Sequence, residues 1–358
     1  KAAALAYKQP LELAPVFHYN ACGVASSPTL GGRHIYIFDN QGNAEGYTAC
    51  PSYRPLTRFE QRGRRLGHGV TDATDYRGEP ADVMVALHAW RSADAIARFA
   101  TQHPERPLVV VLTGTDVYRF IHSHPETTLA SLDAADHLVG LHALVGNTLP
   151  ERLRPKLRVI VQSARPLQKR QPAKRSFRVC FAGHLREEKD PLRPALAVRE
   201  LPTESRIRVD AYGKAHRDTW ASAAREEMRI NPRYRWHGEI AHAELRRVYA
   251  RSHLLVLPSI MEGGANVISE AVLANLPVIA SNIEGSIGLL GADYPGYYQV
   301  RDTEALRERL LRAESDRVYY AALQDACAAR RERFMPGKEE AGWEKLLQEI
   351  QAQSTASR

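Results

Sequence analysis

Glu262 and Glu270 stand on either side of Gly263-Gly264-Ala265-Asn266. An apolar run, Leu254-Leu255-Val256-Leu257, comes before them, and a helix is expected from about Asn266 through Ala274. The loop therefore falls at the carboxyl end of a strand, where open α/β sheets bind ligands. N–H groups left open near Asn266 suit a diphosphate. Glu270, about one turn into the helix, can accept hydrogen bonds from both hydroxyls of a vicinal diol such as a ribose. Glu262 can reach a group above the helix start. Together these features predict a sugar-nucleotide site, although each acid taken singly also fits a first-turn or loop carboxylate.

Glycosyl transfer from such a donor needs the departing diphosphate neutralised, the sugar anchored and a nucleophile held at the anomeric carbon. Arg186 and Lys189, three apart just after a strand end, can neutralise the diphosphate, though a solvated Arg-Glu-Glu-Lys turn has the same sequence. His88 ends one strand, and Thr113-Gly114-Thr115-Asp116 ends the next. His88 and Asp116 are candidates for catalysis, with a structural histidine and a helix cap as the alternatives. Arg91 and Ser92, with Thr113, Gly114 and Thr115, are candidates for holding an anionic acceptor. No Asp-x-Asp pair is present to hold Mg²⁺, so no metal and no cofactor are expected.

At this point the chain resembles a known family, the retaining GT-B glycosyltransferases of family 4, marked by two glutamates separated by seven residues. Phe181-Ala-Gly-His-Leu-Arg-Glu-Glu-Lys-Asp-Pro191 resembles the family's strand, glycine and phosphate-binding lysine, while Val209-Asp-Ala-Tyr-Gly213, Trp236-His-Gly238 and Pro277-Val-Ile-Ala-Ser281 follow in order. Many relatives carry Arg where this chain has His184. Within the family, residues 183–191, 262–267, 288–298 and 112–119 resemble the selenosugar synthases of selenoneine biosynthesis, over roughly 64–347. The resemblance implies a UDP-sugar donor, either glucose or N-acetylglucosamine, and selenophosphate as acceptor, giving a 1-selenosugar. It also implies that Glu262 contacts the transferred sugar. Gly263, Gly264, Ala265 and Asn266 would meet the sugar and diphosphate, and Glu270, Gly213 and Gly238 the nucleoside. A UDP- or GDP-sugar transferase with an oxygen or thiol acceptor would use the same donor motifs, as would a non-catalytic nucleotide-sugar binder. The stretch Tyr47 to Pro55 departs from the selenosugar synthases and puts the acceptor-side loop in doubt.

Two wound domains must position these residues. A chain of 358 residues, 44% hydrophobic and 25% charged, suits two cores of common size. Residues 1–30 show no clear period. A first strand is expected at 33–38, and beyond 66–68 short apolar strands alternate regularly with helices, which means parallel sheets. The expected organisation is a first Rossmann-like domain over 31–164, a linker over 165–176, a second over 177–335, and a helix from Glu339 to Gln351 crossing back to the first domain within 336–358. Expected strands include 82–87, 108–112, 138–141 and 159–161, and expected helices 92–101 and 127–134.

The formal charge of +8 favours anionic ligands. The basic segment 165–175 lacks any accompanying nucleic-acid module and reads as the linker rather than an RNA site. No apolar run approaches bilayer length, and the first residues lack a signal-peptide pattern, so a cytoplasmic, membrane-free protein is expected. Cys22, Cys50, Cys180 and Cys327 form no Cys-x-x-Cys pair and are expected to be reduced structural thiols.

Overall fold

The computed structural model describes residues 34–38, 69–73, 76–167 and 169–356. The irregular segment 1–30, the departure at 47–55 and Cys22 and Cys50 lie outside these residues. The apolar runs become two six-stranded sheets in which every strand pair is parallel. Strands such as Val83–Leu87, Leu108–Val111 and Leu254–Leu257 are buried along their whole length, as a parallel sheet covered on both faces requires.

The first sheet has the order β2-β1-β3-β4-β5-β6, with β1 at His34–Phe38, β2 at Gly69–Ala73, β3 at Val83–Leu87, β4 at Leu108–Val111, β5 at His137–Gly140 and β6 at Leu157–Val159. The second has the order β12-β11-β10-β7-β8-β9, formed by β7 (Phe177–Ala182), β8 (Ile207–Tyr212), β9 (Tyr234–Trp236), β10 (Leu254–Leu257), β11 (Val278–Ser281) and β12 (Tyr297–Tyr298). Strand order reverses between β1 and β3 in one sheet and between β7 and β10 in the other. Ligands of such sheets bind beyond the carboxyl ends of the strands at these reversals. The loops after β3, β7 and β10 carry most of the candidate residues.

The segment expected as a linker is laid along the second domain. Gln171 N donates to Ala250 O at 2.8 Å and Ala173 N to Arg251 O at 3.1 Å, while Arg246 donates to the carbonyls of Arg165 and Pro166. Arg170 binds the carbonyls of Asn275 and Ser252. Part of its charge thus fastens the segment to the domain behind it.

Helix α1 spans Pro336–Ala356, longer at both ends than its apolar positions alone mark. Trp343, Leu346, Leu347 and Ile350 pack with Ile35, Val83, Val85, Val109 and Val139, so this late helix completes one face of the first sheet. Glu339 accepts from Ser163 N at 3.0 Å, and Arg158 donates to Glu349 at 2.7 Å.

Candidate active site

Pairing of β7 with β10 brings Lys189 and Glu262 together from loops far apart in sequence. Lys189 Nζ donates to Glu262 Oε1 at 2.5 Å, and Ser259 Oγ donates to the same oxygen at 2.6 Å. Glu262 is buried, 9% exposed. Gly285 packs its Cα against Glu262, where an added Cβ would overlap the Glu262 carbonyl. Beyond the loop, helix α2 (Asn266–Leu273) begins with Ala265 at its N-cap and no side chain capping it. The Asn266 Oδ1 atom is buried without a hydrogen-bond partner, while its amide nitrogen donates to Glu270 Oε1 at 3.0 Å.

Glu270 is more heavily partnered than a free ribose reader. Its Oε1 also faces His242 Nε2 at 2.9 Å, and its Oε2 accepts from Tyr249 OH at 2.9 Å. The acid is 6% exposed. A carboxylate has about four acceptor directions, so three are occupied and one remains for a hydroxyl unless a partner yields. Gly213 and Gly238 lie together, with Gly213 N donating to Gly238 O at 2.8 Å. Gly213 has φ 142° and sits against the Gly183 carbonyl, an approach that only glycine permits.

On the first domain, His88 has the left-handed φ of 71°, a strained conformation for histidine, and is 1% exposed. Arg91 N donates to His88 Nδ1 at 3.2 Å, which leaves the proton on Nε2 to face Thr115 Oγ1 at 2.9 Å. Burial, with Arg91 adding to it and Asp116 opposing, holds the His88 pKa below its ordinary value. Asp116, expected as a catalytic residue or a helix cap, is placed among backbone N–H groups. It is fully buried, and its oxygens collect the N–H groups of Ala89, Thr113, Gly114 and Val117 at 2.8 to 3.3 Å. Asp116 therefore fixes the loops after β3 and β4 relative to one another and has no exposed atom with which to touch a substrate. The helix turn it opens, Asp116–Phe120, is of the wide π type. Ser92 is also buried, and its hydroxyl donates to Leu87 O at 2.5 Å, so its contribution to an acceptor site is to loop shape. Arg91 is half-buried at the same loop.

The two loop sets meet across the cleft. Gly114 and Gly263 pack backbone to backbone, and a Cβ on either would overlap the other's chain. Gly264 fits against Leu141, and Gly288 against the ring of His142. Arg119 reaches from the first domain to Glu188 at 2.9 Å and Glu187 at 3.6 Å. Burial raises the Glu188 pKa, but its own backbone N–H and the cations Arg186, Arg119 and Lys189 outweigh that and hold it low. Arg186 lies 3.9 Å from Glu188 and has a buried Nε without a hydrogen-bond partner.

Of the residues singled out from sequence, Lys189 and Glu262 are in contact, Gly263 and Gly264 follow Glu262 directly, and Gly213 and Gly238 are hydrogen-bonded to each other. Sequence reasoning missed Ser259, His242 and Tyr249 as partners of the glutamates, and Arg119 as the cation that spans the domains. No local pattern marks them, because each acts on a residue brought close only by the fold. Among the described residues no group of three His, Cys, Asp or Glu side chains is arranged to hold a metal ion, and no helix is long and apolar enough to cross a membrane. Cys180 and Cys327 are buried and free, and burial pushes the Cys180 thiol up to about 12.

Two parallel sheets with their switch points facing across such a cleft are the GT-B architecture of glycosyltransferases. More particularly, residues 164–332 match the family model described as glycosyl transferases group 1. Among solved structures, the fold is similar to Anabaena HepE in complex with UDP and glucose, with TM-score 0.72 and 16% identity over 88% of this chain and 100% of that one. It is also similar to the sucrose-phosphate synthase of Thermosynechococcus elongatus, with TM-score 0.75 and 14% identity over 89% and 99% of the two chains. Curated relatives match only a short stretch. A tRNA (guanine-N(7)-)-methyltransferase of Acidovorax sp. is 72% identical over 29 residues, which are 8% of this chain and 12% of the relative. The chain thus spans about an eighth of that relative's length.

Proposed function

We propose that this protein transfers a hexose, glucose or N-acetylglucosamine, from a UDP-sugar to the selenium of selenophosphate without a metal ion, releasing UDP and giving a Se-glycosyl selenophosphate whose Se–P bond is then cleaved by water to phosphate and the 1-selenosugar, as in selenoneine biosynthesis. The observation that carries the donor half is the Lys189–Glu262 pair at the β7/β10 switch point, 2.5 Å apart and set beside the uncapped start of α2. Arg186, Lys189 and the backbone of Gly263 to Asn266 receive the diphosphate as negative charge develops on the leaving group. Glu262 anchors the sugar, and Lys189 holds its carboxylate in place until the donor arrives. Glu270 takes one ribose hydroxyl, aided by His242. Solved relatives of the same fold support this donor, since Anabaena HepE is described in complex with UDP-glucose. On the acceptor side, Arg91 offers charge to an anion and His88 offers Nε2–H through Thr115. Selenophosphate is already an anionic nucleophile, so it needs orientation more than a general base.

One observation favours a second reading, an oxygen or thiol acceptor. Trp90 stacks on Phe120 with ring centroids 4.2 Å apart and planes 5° from parallel, next to Arg91. That surface suits an acceptor with an apolar face. The test is mass spectrometry of reactions containing the purified protein, UDP-glucose or UDP-N-acetylglucosamine and enzymatically generated selenophosphate, with and without EDTA. Phosphate and thiol acceptors serve as controls. A product with the selenium isotope pattern, absent with Glu262→Ala, is expected. UDP release without it would reject the selenium acceptor and keep the transferase, and loss with EDTA would reject metal independence.

A further inference from the structure

His184 follows β7 and His216 follows β8, and neither has a role in the reading above. The two loops are joined by Leu185 N donating to Lys214 O at 2.9 Å and His216 N donating to Leu185 O at 3.1 Å. This sets the two rings 4.9 Å apart. The groups facing them are mostly cations. His184 is felt by His216, Arg186 and Lys189, and bonds to the backbone of Lys214. His216 is felt by Arg186, Lys214 and, from the first domain, Arg91, with Glu188 as the opposing acid. Glu188 is already engaged by Arg119 at 2.9 Å. The Nδ1 atom of His184 and the Nε of Arg186 are buried with no hydrogen-bond partner.

Burial first, and then these cations, hold both histidines at about 4, so both are neutral near neutral pH. A diphosphate received by Arg186 and Lys189 changes that field. One unit of negative charge about 5 Å away, at an effective dielectric near 20, raises a histidine's pKa by roughly two. A diphosphate carries two such charges, enough at that distance to bring a ring held at about 4 into the neutral range. We propose that His184 and His216 are ligands of the donor diphosphate that acquire their charge as it binds, so that donor binding draws protons from solution. The inference rests on the donor-site reading given above. It adds a specificity element, because a neutral ring pair next to fixed cations rewards a ligand with concentrated negative charge.

UDP-glucose is the appropriate probe, because each phosphate of its disubstituted diphosphate has one strongly acidic oxygen and neither titrates near neutrality, so any protons taken up belong to the protein. The experiment is calorimetric titration of the full chain with UDP-glucose at about pH 6.5, where histidine proton uptake is readable, in MES, bis-Tris and imidazole. The observed heat should vary with the buffer's ionisation heat, with a slope corresponding to uptake of about one proton. Affinity should rise up to tenfold for each pH unit lowered from about 8 toward 6. His216→Asn and His184→Asn, measured singly and together, should lower the slope. A merely structural role for the rings would weaken binding and leave the slope unchanged. Binding with no buffer dependence, or with the same dependence in variants that fold, overturns the proposal and leaves the donor site standing. If UDP-, GDP- and ADP-glucose all fail to bind the wild-type chain, the donor-site reading falls and this inference falls with it.

Discussion

Lys189 and Glu262 are each the other's counter-charge in a poorly solvated loop junction, so neither can be removed without exposing the other. Glu262→Gln keeps the size and the Ser259 contact but loses the charge. We expect it to lower kcat by about 100-fold or more while changing the donor KM far less, read from steady-state UDP release. A drop confined to KM would make Glu262 a binding residue only. Asp116 belongs to a different class, since its four N–H donors are backbone groups of two loops. Asp116→Ala leaves those donors buried and unmatched, at a cost of about 3 kcal/mol in urea unfolding. An unchanged midpoint would show that the loops hold without it. The sequence made Asp116 visible as a polar residue at a strand end and could not tell an organiser from a catalyst. That distinction depends on where Ala89, twenty-seven positions away, turns its N–H.

At the scale of elements, the loops of the two domains meet glycine against glycine. Gly114→Ala or Gly263→Ala puts a methyl group into the opposing backbone, and neither loop can retreat while Asp116 and the Lys189–Glu262 pair fix them. The expected result is at least a tenfold fall in kcat/KM with each domain's thermal unfolding little changed, measured by kinetics and calorimetry side by side. Unchanged kinetics would mean that the cleft works in a more open form. Much of the element order was legible. The strand Leu254–Leu257 stands as read, and β3 and β4 fall within a residue of their expected bounds, because fully buried parallel strands are continuous apolar runs. The edge strand was expected at 159–161 and lies at Leu157–Val159. Leu157 and Arg158 are half-buried and Val159 is exposed, so hydrophobicity points instead to Ile160, which is buried beyond the strand's end. The last helix was read short because its outer turns carry no apolar period, although Pro336 at its start fits the first helical turn. The site was legible where motifs are contiguous and hidden where it is assembled, as at His242, Tyr249 and Arg119.

For the molecule as a whole, acid is the informative stress. His142, fully buried against Gly288 and hydrogen-bonded to Tyr118, is held at about 4 by burial and then by Arg333. His253 is held at about 4 in the same direction. In the unfolded chain these rings take protons below about pH 6.5, while the folded protein does not until about 4. Stability is therefore fully present above 6.5 and lost as pH falls toward 4, with His142 alone contributing up to ~1.4 kcal/mol per pH unit. Urea midpoints measured across that window should fall steadily, and His142→Gln should flatten the decline if it folds. A flat profile in the wild type would contradict the buried neutral state.

The helix Pro336–Ala356 has a consequence for how the protein is made. One face of the first sheet is closed by residues that leave the ribosome only after the whole second domain has emerged. The first domain, although synthesised earlier, must wait with Ile35, Val83, Val109 and Val139 unsheltered while its successor folds. The order of birth and the order of completion are thus reversed. During that interval the nascent chain presents an apolar sheet face without its last helix, a natural substrate for a holding chaperone and the stage at which its assembly is most vulnerable.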